Sequence, residues 1–142
     1  MILVDTNILL YAYASELPQH DRARPWLEDQ FNGITGVGIA WASLLGFTRM
    51  ISNPRMFTRP ISVNDAWAHV DRWLGLINVW TPEPTDRHQE VLARLIPQTG
   101  SSNLVPDAHL AALAIEYNLS LMTADRDFAR FNGLRWRNPL EE

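Results

Sequence analysis

Apolar residues alternate along the chain between short continuous runs and stretches with helical spacing, and that alternation predicts its elements. The opening MILV is apolar on both faces and ends at Asp5, as expected of a buried parallel strand that runs straight into a turn. Asn7 to Ala14 reads as the start of a helix. Helical spacing returns in Asp21 to Phe31, through Trp26, Leu27 and Phe31, with Pro25 marking a first turn or a kink. Ile34 to Ile39 is a glycine-rich strand candidate, and Trp41 to Ile51 an amphipathic helix stopped by Asn53-Pro54. Ser62 followed by Asp65 resembles a capping box ahead of the face Ala66, Val70, Trp73 and Leu74. Leu76 to Trp80 then predicts a strand, and Asp86 to Ile96 a helix ended by Pro97 and Gly100.

The segment Leu104 to Tyr117 carries the clearest helical face, with Pro106 near its start, where a missing N–H is least harmful, and Asn118 as its stop. Leu119 to Thr123 is a short apolar strand, Asp125 opens a turn or short helix, and Leu134 to Arg137 is a last edge strand. Strands alternating with helices predict an α/β protein: a three-layer α/β/α domain with a mainly parallel central sheet. No repeat, low-complexity tract or linker divides the chain, so residues 1–142 are expected to form a single domain.

Composition narrows the chemistry. There are no cysteines, which excludes disulfides, thiolate zinc sites and a cysteine nucleophile, and suits a reducing cytoplasm. The N-terminus lacks the basic region of a signal peptide, and no run reaches the roughly 18 apolar residues that span a bilayer. A cytoplasmic protein without membrane attachment is expected. The formal net charge is −4 and all 12 basic residues are arginine, a balance that argues against a protein coating nucleic acid by charge. It permits an enzyme that gathers carboxylates around metal ions and leaves arginines to meet phosphates.

In a parallel sheet, sites form beyond the carboxyl ends of the strands. Asp5 and Asp125 each follow an apolar strand, and Asp107 lies in the first turn of the helix that begins near Pro106. If that helix starts at the same sheet edge, three aspartates from distant positions meet there. Carboxylates so placed repel and raise one another's proton affinity, and a divalent cation resolves the conflict. His20, His69, His88 and His109 show no paired metal-ligand spacing, so the expected ion is a hard, oxygen-seeking one, Mg²⁺ or Mn²⁺. Such a site can hold a phosphodiester and activate water.

The stretches MILVDTNILLYA, NLVPDAHLAALAIEYN and TADRDFARF resemble the three signature regions of PIN domains, in particular those of VapC-type toxins of toxin–antitoxin pairs, over nearly the whole chain. The resemblance implies an α/β/α fold, Mg²⁺-dependent cleavage of RNA, assembly as a homodimer or with an antitoxin, and neutralisation by that small cognate antitoxin. On it, Asp5, Asp107 and Asp125 are the metal-site and catalytic residues. The chain departs from the pattern at Gly46, where many members carry a glutamate, and no carboxylate occurs from Trp41 to Asn64. Asp127 can add to the set, or serve only in the turn after Asp125. The departure keeps an alternative open: a catalytically weakened module that grips RNA or a protein without cutting it. A phosphatase or nucleotide-binding protein ranks below both, because there is no Asp-x-Asp after the first strand and no glycine-rich phosphate loop.

Around the aspartates, Thr6 and Asn7 are expected to hold the loop or a metal-bound water, and Asn103 to cap the helix carrying Asp107. His109 is expected on a different helical face from Asp107, as a surface or supporting group. Arg49, Arg55 and Arg59 form either a phosphate-facing cluster or an ordinary solvated surface, and the tryptophans are read as core or contact surface before base-stacking platforms. An antitoxin is expected to send an arginine between the aspartates and to lay apolar groups against Leu9, Leu10, Tyr13 or the Trp41 to Phe47 stretch.

Overall fold

The computed structural model describes residues 1–141. Five parallel strands, β1 (Ile2–Val4), β2 (Val37–Gly38), β3 (Val79–Trp80), β4 (Ser120–Met122) and β5 (Trp136–Arg137), form one sheet in the order β3-β2-β1-β4-β5. Parallel neighbours must be joined by crossovers. Helices α1 (Thr6–Tyr13) and α2 (His20–Phe31) connect β1 to β2, α3 (Trp41–Ile51) and α4 (Val63–Leu74) connect β2 to β3, and α5 (His88–Leu95) and α6 (Val105–Glu116) return the chain to β4. The chain therefore leaves β1 in one direction and later resumes on its other side. The gap between the ends of β1 and β4 is the point where strand order reverses.

The sheet separates two cores. Val4, Val37 and Val79 face α1 to α4, while Leu3 and Leu121 face α5 and α6, the alternation expected along a pleated strand. This is the three-layer arrangement that the sequence predicts. Leu9 and Leu10 lie inside the first core, 0% and 6% exposed, so they offer no surface to a partner. That corrects the expectation for these two residues: α1 is covered both by the sheet and by its contacts with α2 and α3. An aromatic group fills the space between α1, α3 and α4. Phe47 and Trp73 have ring centroids 4.9 Å apart, Tyr13 sits edge-on to Phe47 at 6.0 Å, and Trp73 Nε1 donates to the Tyr13 hydroxyl at 3.2 Å.

Element ends differ from the sequence reading for local reasons. Pro25 lies inside α2, which starts at His20, so the helix accommodates the missing donor instead of beginning there. Ser62 Oγ accepts from the Asp65 amide at 3.0 Å, one half of the expected box. Asn118 stops α6 in the left-handed region at φ 56°, and the Leu119 amide returns to the Ala114 carbonyl at 2.8 Å, closing the helix end. β2 and β3 are only two residues each, shorter than Ile34 to Ile39 and Leu76 to Trp80 suggested. Among the described residues, no helix is long and apolar enough to cross a membrane.

Phe47 is fully buried among Tyr13, Trp73 and the α1 to α4 core. Phe47→Ala should therefore lower unfolding stability by about 3–5 kcal/mol, read from the midpoint of urea denaturation. A loss below about 1 kcal/mol would show that this aromatic group does not support the helical layer.

A candidate carboxylate site at the β1 and β4 strand ends

Pairing of β1 with β4 fixes the first two aspartates. The Asp5 amide donates to the Met122 carbonyl at 3.0 Å, carrying the ladder one residue past the end of β1 against the last residue of β4. Asp5 Oδ1 accepts from the Thr6 amide at 2.7 Å, and Oδ2 accepts from the Thr123 hydroxyl at 2.8 Å and Asn7 Nδ2 at 3.2 Å. Thr123, fully buried, also takes bonds from Asn7 Nδ2 and the Asp125 amide, both at 3.1 Å. The Ala124 amide donates to Asn7 Oδ1 at 3.2 Å. Asn7 and Thr123 thus tie the two strand ends together, the loop-holding role expected of Asn7. Thr6 instead turns its hydroxyl to the Ser43 carbonyl at 3.5 Å, joining the loop to α3.

Asp107 arrives from α6. This helix feeds β4 through the Asn118 turn and runs opposite to it, so the N-terminus of α6 lies at the carboxyl edge of the sheet. Asn103 does not cap it. The Ser101 hydroxyl accepts from the Asn103 amide at 3.2 Å, and the 3-10 turn Ser102–Leu104 runs into α6, leaving Leu104 at the cap position without a side-chain bond. That continuous turn occupies the place where a capping side chain would fold back. The first turns of α1, α3 and α6 surround a groove of about 130 Å³, lined by Asp5, Thr6, Ser43, Asp107 and His109 among others. Three helix N-termini here favour negative charge.

The aspartates are electrostatically coupled. Burial pushes the Asp5 carboxyl above its ordinary value, against the pull of the Thr123 hydroxyl and Thr6 amide, and Asp125 adds repulsion. Asp107 is pushed up to about 6, by burial first and then by Asp5, Asp125 and Asp127, with Arg130 opposing. No hydrogen bond reaches the Asp107 carboxylate from any described residue. Asp125 Oδ1 accepts from the Asp127 amide at 2.9 Å, which leaves one oxygen for other work and makes the amide of Asp127 a turn partner. Arg130 is itself anchored to the Thr99 and Asp127 carbonyls. Arg49, Arg55 and Arg59 are exposed on α3 and the loop beyond, and the cation felt by Asp107 is Arg130.

Among the described residues, no three Asp, Glu or His side chains are posed to hold one ion. The donors that do converge nevertheless suit a hard cation. They are carboxylate oxygens, one pair of them unbonded and proton-retaining at Asp107, and Mg²⁺ commonly takes only one or two protein carboxylates and keeps its remaining waters. Gly46 faces the same place. A Cβ at this position would lie 3.2 Å from Thr6 Oγ1, so Thr6 occupies space that a side chain at position 46 would enter, and no fourth carboxylate is present there.

One feature escaped the sequence reading. His88, on α5, accepts or donates through Nε2 to His109 Nδ1 at 3.0 Å, and its Nδ1 donates to Glu116 Oε2 at 2.5 Å. Burial would raise the Glu116 carboxyl, but bonds from Thr85 and His88 outweigh it and hold the group below its ordinary value. Burial and the neighbouring His88 hold His109 down. His109 lines the groove beside Asp107, contrary to the expectation of a separate face, because the groove wraps around the first two turns of α6. The residues lie on two helices, so no spacing within one helix announces them.

The profile of the PIN domain family matches residues 2–134. The chain is 41% identical to ribonuclease VapC37 of Mycobacterium tuberculosis, over 98% of this chain and 97% of that protein. It is 40% identical to ribonuclease VapC33 of the same species, over the full length of both. The crystal structure of VapBC2 from Rickettsia felis, bound to a DNA fragment from its promoter, contains a chain with the same fold: TM-score 0.64 at 23% identity, over 97% of this chain and 98% of that one.

Because Asp107 keeps its proton to higher pH when folded than the ordinary 3.8 allows, this carboxyl binds more proton in the folded, metal-free protein than in the unfolded chain between about pH 4 and 6. Its contribution to stability should fall as pH rises through that window. Asp107→Asn should flatten this dependence and stabilise the metal-free protein at pH 7.5 by roughly 1–2 kcal/mol after solvent screening. Thermal melts in EDTA across pH 4–8 read both effects, and an Asp107→Asn protein less stable than wild type at pH 7.5 would contradict the coupling.

Proposed function

The chain belongs to the PIN domain family, and from that premise we propose that it is a metal-dependent endoribonuclease, the toxin of a toxin–antitoxin pair, that hydrolyses RNA phosphodiester bonds at the carboxylate groove. The observation that carries the site assignment is the unbonded Asp107 carboxylate beside the rigidly held Asp5. Full-length identity of 40% or more to two ribonucleases supports the activity.

Asp5, fixed by Thr6, Asn7 and Thr123, and Asp107, free of protein partners, would hold the divalent ion, for which we propose Mg²⁺ with Mn²⁺ as a substitute. Asp125 contributes through its free oxygen, directly or by way of water. When bound, the ion supplies a polarised phosphoryl oxygen and a water of lowered pKa. The protein orients these oxygens: Thr123 and Asn7 keep Asp5 from turning away, and the helix N-termini around the groove favour the phosphate. No side chain forms a bond to phosphorus. Asp5→Asn should keep its fold by circular dichroism and lose at least about 100-fold in RNA cleavage, as EDTA treatment of wild type should. Full cleavage by Asp5→Asn would sink the assignment.

A free nuclease with this groove calls for an inhibitor of opposite charge. An antitoxin arginine placed between Asp5, Asp107 and Asp125 would pair with carboxylates that otherwise repel one another. With Leu9 and Leu10 buried, the apolar part of the grip falls to Trp41 and Leu45, 40% and 56% exposed on α3 beside the groove. Co-expression with the adjacent small open reading frame should yield a complex inactive on RNA. Leu45→Glu should weaken that complex at least tenfold and leave cleavage by the free protein unchanged. An unaltered complex would move the inhibitor to another face.

A further inference from the structure

Next to the carboxylate groove, and sharing Ala42 and His109 with it, lies a second cleft of about 230 Å³. Its walls are Trp41 at the start of α3, Pro82 and Pro84 from the segment after β3, and His109. The Pro82 to Thr85 segment is pinned to the end of α6. Tyr117 donates its hydroxyl to the Glu83 carbonyl at 2.6 Å, and Glu116 accepts from the Thr85 amide and hydroxyl at 3.0 and 2.6 Å.

We propose that this cleft is the nucleoside subsite of the RNA strand, where Trp41 receives the base and His109 meets the ribose 2′-hydroxyl of the nucleotide next to the phosphate in the carboxylate groove. The proposal rests on the nuclease reading above. The lining selects for a nucleoside over a phosphate: it contains no arginine, its one charged residue is Glu83, and the remaining surfaces are an exposed indole, prolines and a neutral-capable imidazole. Exposed aromatic faces beside a strand-binding groove accept bases of any sequence. Continuity with the carboxylate groove through Ala42 and His109 places sugar and phosphate in adjoining compartments, as a polynucleotide requires.

His109 is held for this task by a relay. Glu116, its side chain 0% exposed, binds His88 Nδ1, and His88 Nε2 binds His109 Nδ1. Every one of these atoms is occupied, so the remaining nitrogen of His109, Nε2, is the one left for a ligand. The carboxylate fixes a proton on His88 Nδ1. In that tautomer His88 Nε2 accepts from His109 Nδ1, which leaves His109 Nε2 as an acceptor. A phosphate oxygen, which only accepts, cannot bond to it. A 2′-hydroxyl can donate to it, which makes it the group this relay suits and the group that separates RNA from DNA. His88 and Glu116 are positioning residues in this scheme.

The test compares 20-nucleotide oligouridylate with oligodeoxyuridylate, strands of identical base, by fluorescence anisotropy with Ca²⁺ in place of Mg²⁺ and strand integrity checked on a gel. Wild type should bind the ribose strand about threefold to tenfold more tightly, one hydrogen bond's worth. His109→Ala, His109→Phe and His88→Phe should bring the two affinities together, whereas Trp41→Ala should weaken both strands about tenfold and keep their ratio. Equal affinities in wild type, or a ribose preference surviving both His109 variants, would overturn the proposal. Cleavage of total RNA with Mg²⁺ is scored separately. Cleavage without ribose preference removes the subsite and leaves the nuclease, and ribose preference without cleavage does the reverse.

Discussion

The hydrogen bond from the Thr123 hydroxyl to Asp5 joins residues 118 positions apart, and the arrangement of the candidate site hangs on it. Parallel pairing of β1 and β4 brings the two strand ends level, but pairing alone leaves a carboxylate free to turn toward water. Thr123 and Asn7 close that freedom by bonding Asp5 and each other, and the same hydroxyl receives the Asp125 amide. A rigid acid is then set against Asp107, which has no such partners. Burial raises the proton affinity of both carboxyls, and mutual repulsion among Asp5, Asp107 and Asp125 adds to it, a cost that a bound cation would relieve.

Much of this was visible in the residues. Alternating strand and helix patterns gave the layers, and the aspartates after MILV and after Leu119 to Thr123 could be placed at strand ends because a buried parallel strand must end in a turn. Asn118 was legible as a helix stop because few residues other than glycine adopt its φ easily. Other features depend on geometry that no local pattern carries. Asn103 looks like a cap, yet a 3-10 turn runs through it into the helix. Leu9 and Leu10 look like a partner's surface, yet the α2 and α3 packing that buries them comes from later in the chain.

The histidines show the same limit more sharply. His88 and His109 carry no spacing signal because they meet across α5 and α6, and Glu116 reaches them from two turns further along α6. Only once the two helices are packed on one face of the sheet do three ordinary polar residues become a connected chain that ends at the groove. Packing of apolar residues such as Val91, Leu95 and Leu113 thus sets the orientation of a polar group in the site. Core and site are not separable in this layer.

The short approach between position 46 and Thr6 ties two parts of the loop together. A Cβ at 46 would come within 3.2 Å of Thr6 Oγ1, so a larger side chain there makes residue 6 give by a few tenths of an ångström, and residue 6 sits directly after the aspartate that orders the loop. Side chains in such contact do not contribute independently. The effect of a carboxylate introduced at 46 is therefore set jointly with residue 6, and its measured cost would include any shift passed on to Asp5.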